Sequence, residues 1–169
     1  MLYHIKVGRT RSKKPKFEKV MASSIRANRD DLFGPHLAID NCFKDVPKNS
    51  FISNKEDFPW FQWMVVVKPQ RRPVEVTEII IGIPRKCCGY DTLKERTLER
   101  FEVRAGLDRI DISHRGQIKK NQVCENYKPA NPNLVDGKYA KYGFKCNVHQ
   151  DFTKAKWVTV QILGTSILA

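Results

Sequence analysis

Glu78-Ile79-Ile80-Ile81-Gly82-Ile83-Pro84-Arg85-Lys86-Cys87-Cys88-Gly89 is followed, after a polar insertion, by Leu98-Glu99-Arg100-Phe101-Glu102-Val103-Arg104-Ala105-Gly106. Residues 74–83 alternate at first and then become continuously apolar; residues 98–107 alternate, with Leu98, Phe101, Val103 and Ala105 as inward positions. Successive side chains of a strand point to opposite faces, so both patterns predict β-strands. Further out, 60–67 is a dense aromatic and β-branched run, and 121–127, 143–148 and 157–163 complete the set. In the last of these, Trp157, Thr159 and Gln161 face opposite to Val158, Val160 and Ile162. Turn clusters such as Lys128-Pro129-Ala130-Asn131-Pro132-Asn133 and Asp136-Gly137 separate the runs. There is no sustained helical periodicity and no internal repeat. Short strands with turn signals between them predict an all-β sandwich or jelly roll.

The adjacent cysteines Cys87 and Cys88 stand between two of these strands. Neighbouring Cα atoms are about 3.8 Å apart, below the usual disulfide span of about 4.4 to 6.8 Å. A bridge between them would close a strained small ring and offer a stiff apolar sulfur face to a ligand. The alternative is two thiols, or each cysteine paired elsewhere. Cys124 and Cys146 flank a turn-rich segment that a bridge would close as a loop, and Cys42 is left over from the five cysteines. This cysteine usage points mildly to an oxidising compartment. No Cys/His spacing reads as a zinc site.

At 169 residues the chain is long enough for one domain that buries about two thirds of its unfolded surface. Hydrophobic residues at 41% and charged residues at 29% exclude a disordered chain. No apolar run reaches the roughly 18 to 20 residues of a membrane span, and the segment from Met1 to Gly8 lacks the apolar core of a signal peptide. The formal charge of +13 implies affinity for polyanions, or high solubility. Lys6, Arg9, Arg11, Lys13, Lys14, Lys16 and Lys19 crowd the amino terminus. Residues 1–17 are therefore expected to form a basic arm, docked on its own domain or on a protein partner, with one β-sandwich over 18–169.

The order Ala22-Ser23-Ser24, Leu37-Ala38-Ile39-Asp40 and Pro59-Trp60-Phe61 resembles the opening half of a discoidin (coagulation-factor type C) domain. The continuation through Glu78 to Ile83, Cys87-Cys88 and Phe101 to Gly106 is similar to the F-type (fucose-binding) lectins of the same superfamily. Cys146 followed by Lys156-Trp157-Val158-Thr159-Val160-Gln161 fits as well. The resemblance covers about Glu18 to the carboxyl terminus. It implies a galactose-binding-domain-like β-sandwich with its ligand loops gathered at one end, and a disulfide between Cys124 and Cys146. It also implies that the last strand is truncated at Ala169.

The sugar signature of those lectins is a histidine after the first loop, an Arg-x-Asp before the paired cysteines and a later basic residue. At the matching positions this chain has Ser53, then Pro84-Arg85-Lys86, then Lys94 or Arg96 after an insertion. An Arg–Asp pair supplies both donors and acceptors to adjacent hydroxyls, and Lys86 in place of the aspartate removes the acceptor. The resemblance thus leaves Ser53, Arg85, Cys87, Cys88 and Arg96 as candidate carbohydrate contacts, suited to a hexose face or an anionic sugar. It further implies a structural calcium near Asp40 and Ser50, although calcium needs about six to eight oxygens and Asp40 alone would also serve as a turn cap.

No Gly-rich phosphate loop, Ser/His/Asp pattern or His-x-x-x-His occurs, and the carboxylate pairs Asp30-Asp31, Asp108-Asp111 and Glu99-Glu102 sit in charged, surface-like contexts. Catalysis is not expected. Trp60, Phe61 and Trp63 read as core rather than as a stacking platform for bases. The expectation is a non-catalytic module that binds a glycan or glycoprotein and is secreted. Its competitors are an adaptor that has lost sugar binding and docks to proteins, within an intracellular assembly, and a polyanion binder for which nucleic acid is the weaker candidate.

Overall fold

The computed structural model describes residues 2–7, 16–25, 28, 31, 34–38, 53–66, 72–84, 86–87, 90–91, 101–124, 133–135, 139–146 and 154–166. The strands are β1 (Leu2–Val7), β2 (Lys16–Ala22), β3 (Glu56–Asp57), β4 (Trp60–Val66), β5 (Val76–Pro84), β6 (Lys86–Cys87) and β7 (Tyr90–Asp91). They continue as β8 (Phe101–Gly106), β9 (Gln122–Val123), β10 (Asn133–Val135), β11 (Tyr139–Lys145), β12 (Trp157–Ile162) and β13 (Thr165–Ser166). A 3₁₀ turn spans Pro35–Ala38. The all-β expectation therefore holds.

The strands form two main antiparallel sheets, with orders β1-β5-β11-β10 and β2-β4-β12-β8-β9. Two small ribbons, β13 with β3 and β6 with β7, are attached to them. The inner faces share one apolar core. Phe61, Trp63 and Val65 of β4, Val103 of β8 and Val160 of β12 meet Ile79 and Ile81 of β5 there. Phe101 packs edge-on against Phe144 at 5.1 Å between ring centroids, joining β8 of one sheet to β11 of the other. Phe101, Val103 and Ala105, the inward positions that alternation picks out in β8, all lie in this core, while Leu98 lies outside the described residues.

Cys124 and Cys146 form a disulfide between these sheets, with Cα atoms 4.2 Å apart. The Cys124 amide donates to Val103 O of β8 (2.8 Å) and the Cys146 amide to Thr77 O of β5 (2.9 Å). The two contacts, Phe101 on Phe144 and Cys124 on Cys146, fix the polarity of the layers. Phe144 pairs with Ile79, so the start of β8 lies toward the carboxyl end of β5. Ile162 pairs with Phe101 and its amide donates to Pro59 O. The loop 53–58 and the end of β12 thus share one pole, and β5 runs toward it.

Within the segment expected to be an arm, β1 pairs with β5 from Leu2 opposite Ile81 to Val7 opposite Val76, so it docks on its own domain as an edge strand. Residues 8–15 lie outside the described residues. β2 pairs with β4 and is interrupted by a bulge between Glu18 and Met21, where Lys19 is exposed with φ 45°. A bulged, charged edge of this kind blocks strand addition by another chain.

Candidate functional site

At the carboxyl end of β5 the chain enters the β6–β7 ribbon, in which Lys86 lies opposite Asp91 and Cys87 opposite Tyr90. The backbone of Cys87 is thereby placed on a two-residue strand that follows β5. Arg85, Cys88 and Arg96 lie outside the described residues, as do Asp40, Ser50 and Cys42.

Ser53 is fully buried, and its Oγ donates to Asn54 O at 2.8 Å. Its loop is tied to the end of β2 through Glu56. Ser24 Oγ donates to Glu56 Oε1 (2.7 Å), and Ser23 Oγ donates to the same oxygen. Ser24 Oγ also accepts the Asn54 amide at 3.0 Å, and Ser23 Oγ accepts the Trp60 amide at 3.0 Å. The Ala22-Ser23-Ser24 motif is therefore a fastening for the polar loop. A sequence reading sees the serines but not Glu56, which stands more than thirty residues away.

The largest feature absent from the sequence reading is the loop 107–121, between β8 and β9. It folds back over the outer face of the larger sheet. Ile110 and Ile118 point inward and join Met21, Trp60, Met64 and Trp157 in a second apolar cluster. Two buried glutamines of that face hold the loop's backbone. Gln62 Oε1 accepts the Ile110 amide (2.9 Å), and its Nε2 donates to Thr159 Oγ1 (2.9 Å) and Asp108 O (3.3 Å). Gln161 Oε1 accepts the Ile118 amide (2.7 Å), and its Nε2 donates to Gly116 O (2.9 Å) and Phe58 O (3.0 Å). Trp60 Nε1 donates to His114 O at 3.3 Å.

The loop is closed at its base as well. Asn121 Oδ1 accepts the Asp108 amide (2.9 Å) and Asn121 Nδ2 donates to Asp108 O (2.8 Å). Arg104 Nη1 donates to Asn121 O at 2.8 Å. Near the tip, Asp111 Oδ1 accepts from the amide (2.8 Å) and the Oγ (2.6 Å) of Ser113. These bonds, with smaller help from Arg109 and Lys120, hold its carboxyl below the usual aspartate value. Asp111 is a turn brace, and Glu102 is paired with Arg104.

Among the described residues there is no group of three or more His, Cys, Asp and Glu side chains able to hold a metal ion. The calcium candidates Asp40 and Ser50 fall outside that set. No described helix is long and apolar enough to cross a membrane. No protein-family model matches the chain, and no curated protein matches it.

Proposed function

We propose that this chain is a non-catalytic glycan-binding domain built as a galactose-binding-domain-like jelly roll. What supports this reading is the location of Cys87 on a small ribbon that follows β5, the strand that runs toward the pole of loop 53–58. A sugar site needs an apolar platform beside a few fixed polar groups. Cys87 and Cys88 would supply the platform, and Arg85 and Arg96 the donors. With Lys86 where the lectin pattern has an acid, the preferred ligand is an anionic glycan over plain fucose. Asp40 and Ser50 would hold a structural calcium. The Cys124–Cys146 bridge is in keeping with a secreted protein.

The test is a glycan array at physiological salt with the wild-type chain and with Cys87→Ser/Cys88→Ser. Saturable binding to defined glycans, lost in the double variant, supports the reading. An array that stays silent, or binding to every polyanion that persists in the double variant, overturns it. The adaptor reading then takes precedence, because the amino-terminal strand β1, which leads into the basic run, pairs with β5 at the edge of its sheet.

A further inference from the structure

Most of the loop 107–121 is occupied with the protein itself, so what it leaves outside is informative. Leu107 at 59% and Ile112 at 60% exposure are the exposed large hydrophobics among the described residues, and both belong to this loop. Single exposed apolar residues scattered over a surface need no explanation, but here both sit on one segment. A surface loop of this length that is compact and pinned at its ends is frequently functional.

The surroundings of Ile112 are cationic. Arg115 Nη1 donates to Ile112 O (3.1 Å) and His114 O (3.0 Å), which holds its guanidinium beside Ile112. Arg109 and Lys120 lie close enough to Asp111, the preceding residue, to act on its carboxyl. The loop carries Arg109, Arg115, Lys119 and Lys120 against Asp108 and Asp111, and Asp111 is already bonded to Ser113.

We infer that the tip of this loop is a docking site for an acidic protein segment, with Ile112 as the apolar anchor and Arg109, Arg115 and Lys120 as its cationic rim. A rigid anchor loses little entropy on binding, and the Gln62 and Gln161 bonds provide that rigidity. Oppositely charged rims steer the encounter and exclude wrong partners. A uniform polyanion would use the cations and leave Ile112 in water. The loop has no Trp, Tyr or Phe, the residues that favour the lipid interface, which speaks against an anionic membrane as the partner.

A displayed library of random peptides, selected on the wild-type protein, tests this. The expected result is enrichment of sequences that combine Asp or Glu with a large apolar residue. The best synthetic peptide should bind more weakly as salt rises. It should lose about tenfold in affinity with Ile112→Ser and with Lys120→Glu. Both side chains are exposed, and both variants should keep the wild-type melting temperature. No enrichment, or a peptide that binds both variants equally well, overturns the inference. So does binding to phosphatidylserine vesicles that Ile112→Ser abolishes, which would make the tip a membrane contact.

Discussion

Gln161, from the middle of a buried sheet, accepts the backbone N–H of Ile118 at 2.7 Å, forty-three residues away in the chain. The same side chain donates to Gly116 O and Phe58 O, so it joins the loop 107–121 to the turn that precedes β4. A glutamine at 2% exposure is costly unless its amide is fully bonded, and here each of its polar atoms has a protein partner.

Gln161→Leu keeps the volume and removes those bonds, leaving the Ile118 amide and two carbonyls without their partner. Each buried unsatisfied group costs about 1 to 3 kcal/mol. The expected outcome is a loss of about 3 kcal/mol in urea unfolding. Tryptic cleavage at Arg115, Lys119 or Lys120, all exposed on the loop, should become faster.

Cys124→Ser/Cys146→Ser removes a bridge across a separation of 22 residues. Loop-closure entropy puts its contribution at about 3 kcal/mol. Urea unfolding with and without reductant should show that difference in the wild-type chain and none in the double variant. An equal response in both would mean that another cysteine accounts for the redox dependence.

Gly106→Ala tests the closure at the base of the loop. A Cβ at Gly106 would lie 2.3 Å from Asn121 Oδ1, the atom that accepts the Asp108 amide. Asn121 is itself held at φ 68°, so it has little freedom to retreat. Overpacking of this kind costs about 1 to 3 kcal/mol. The amide of Asp108 should lose its protection in hydrogen exchange.

Asp111 provides a pH-dependent check. Its carboxyl titrates below the ordinary aspartate value in the folded chain, because Ser113 donates two hydrogen bonds to the charged form. A depressed folded value contributes stability above the unfolded pKa, and that stability is lost as pH falls through the folded value. Carbon-detected NMR titration should place Asp111 below the ordinary value, and Ser113→Ala should move it back up. The effect on global stability should be small, since the group is fully exposed.

Alternation and composition made the β architecture legible. The inward sets Phe101, Val103 and Ala105, and Val158, Val160 and Ile162, all lie in the shared core. Trp60, Phe61 and Trp63 are buried as their strand context implies. The strand β1 was hidden in the sequence by the basic run that follows it, and its place at the sheet edge comes from its long-range pairing with β5. The candidate sugar contacts were legible as a pattern alone, since loops take their shape from partners distant in sequence.

The sequence by itself determined which residues enter the core, because a period of two puts every second side chain on one face. It could not determine what happens on the other face. Trp157, Thr159 and Gln161 of β12 face opposite to Val158, Val160 and Ile162, yet both sets are buried. A loop that begins fifty residues earlier in the chain lies over them. Periodicity reports that a strand has two faces, whereas the cover over each is a long-range contact that no local pattern encodes. Tertiary structure therefore decided that Gln62 and Gln161 are buried braces, and it put Ile112 among cations at the surface.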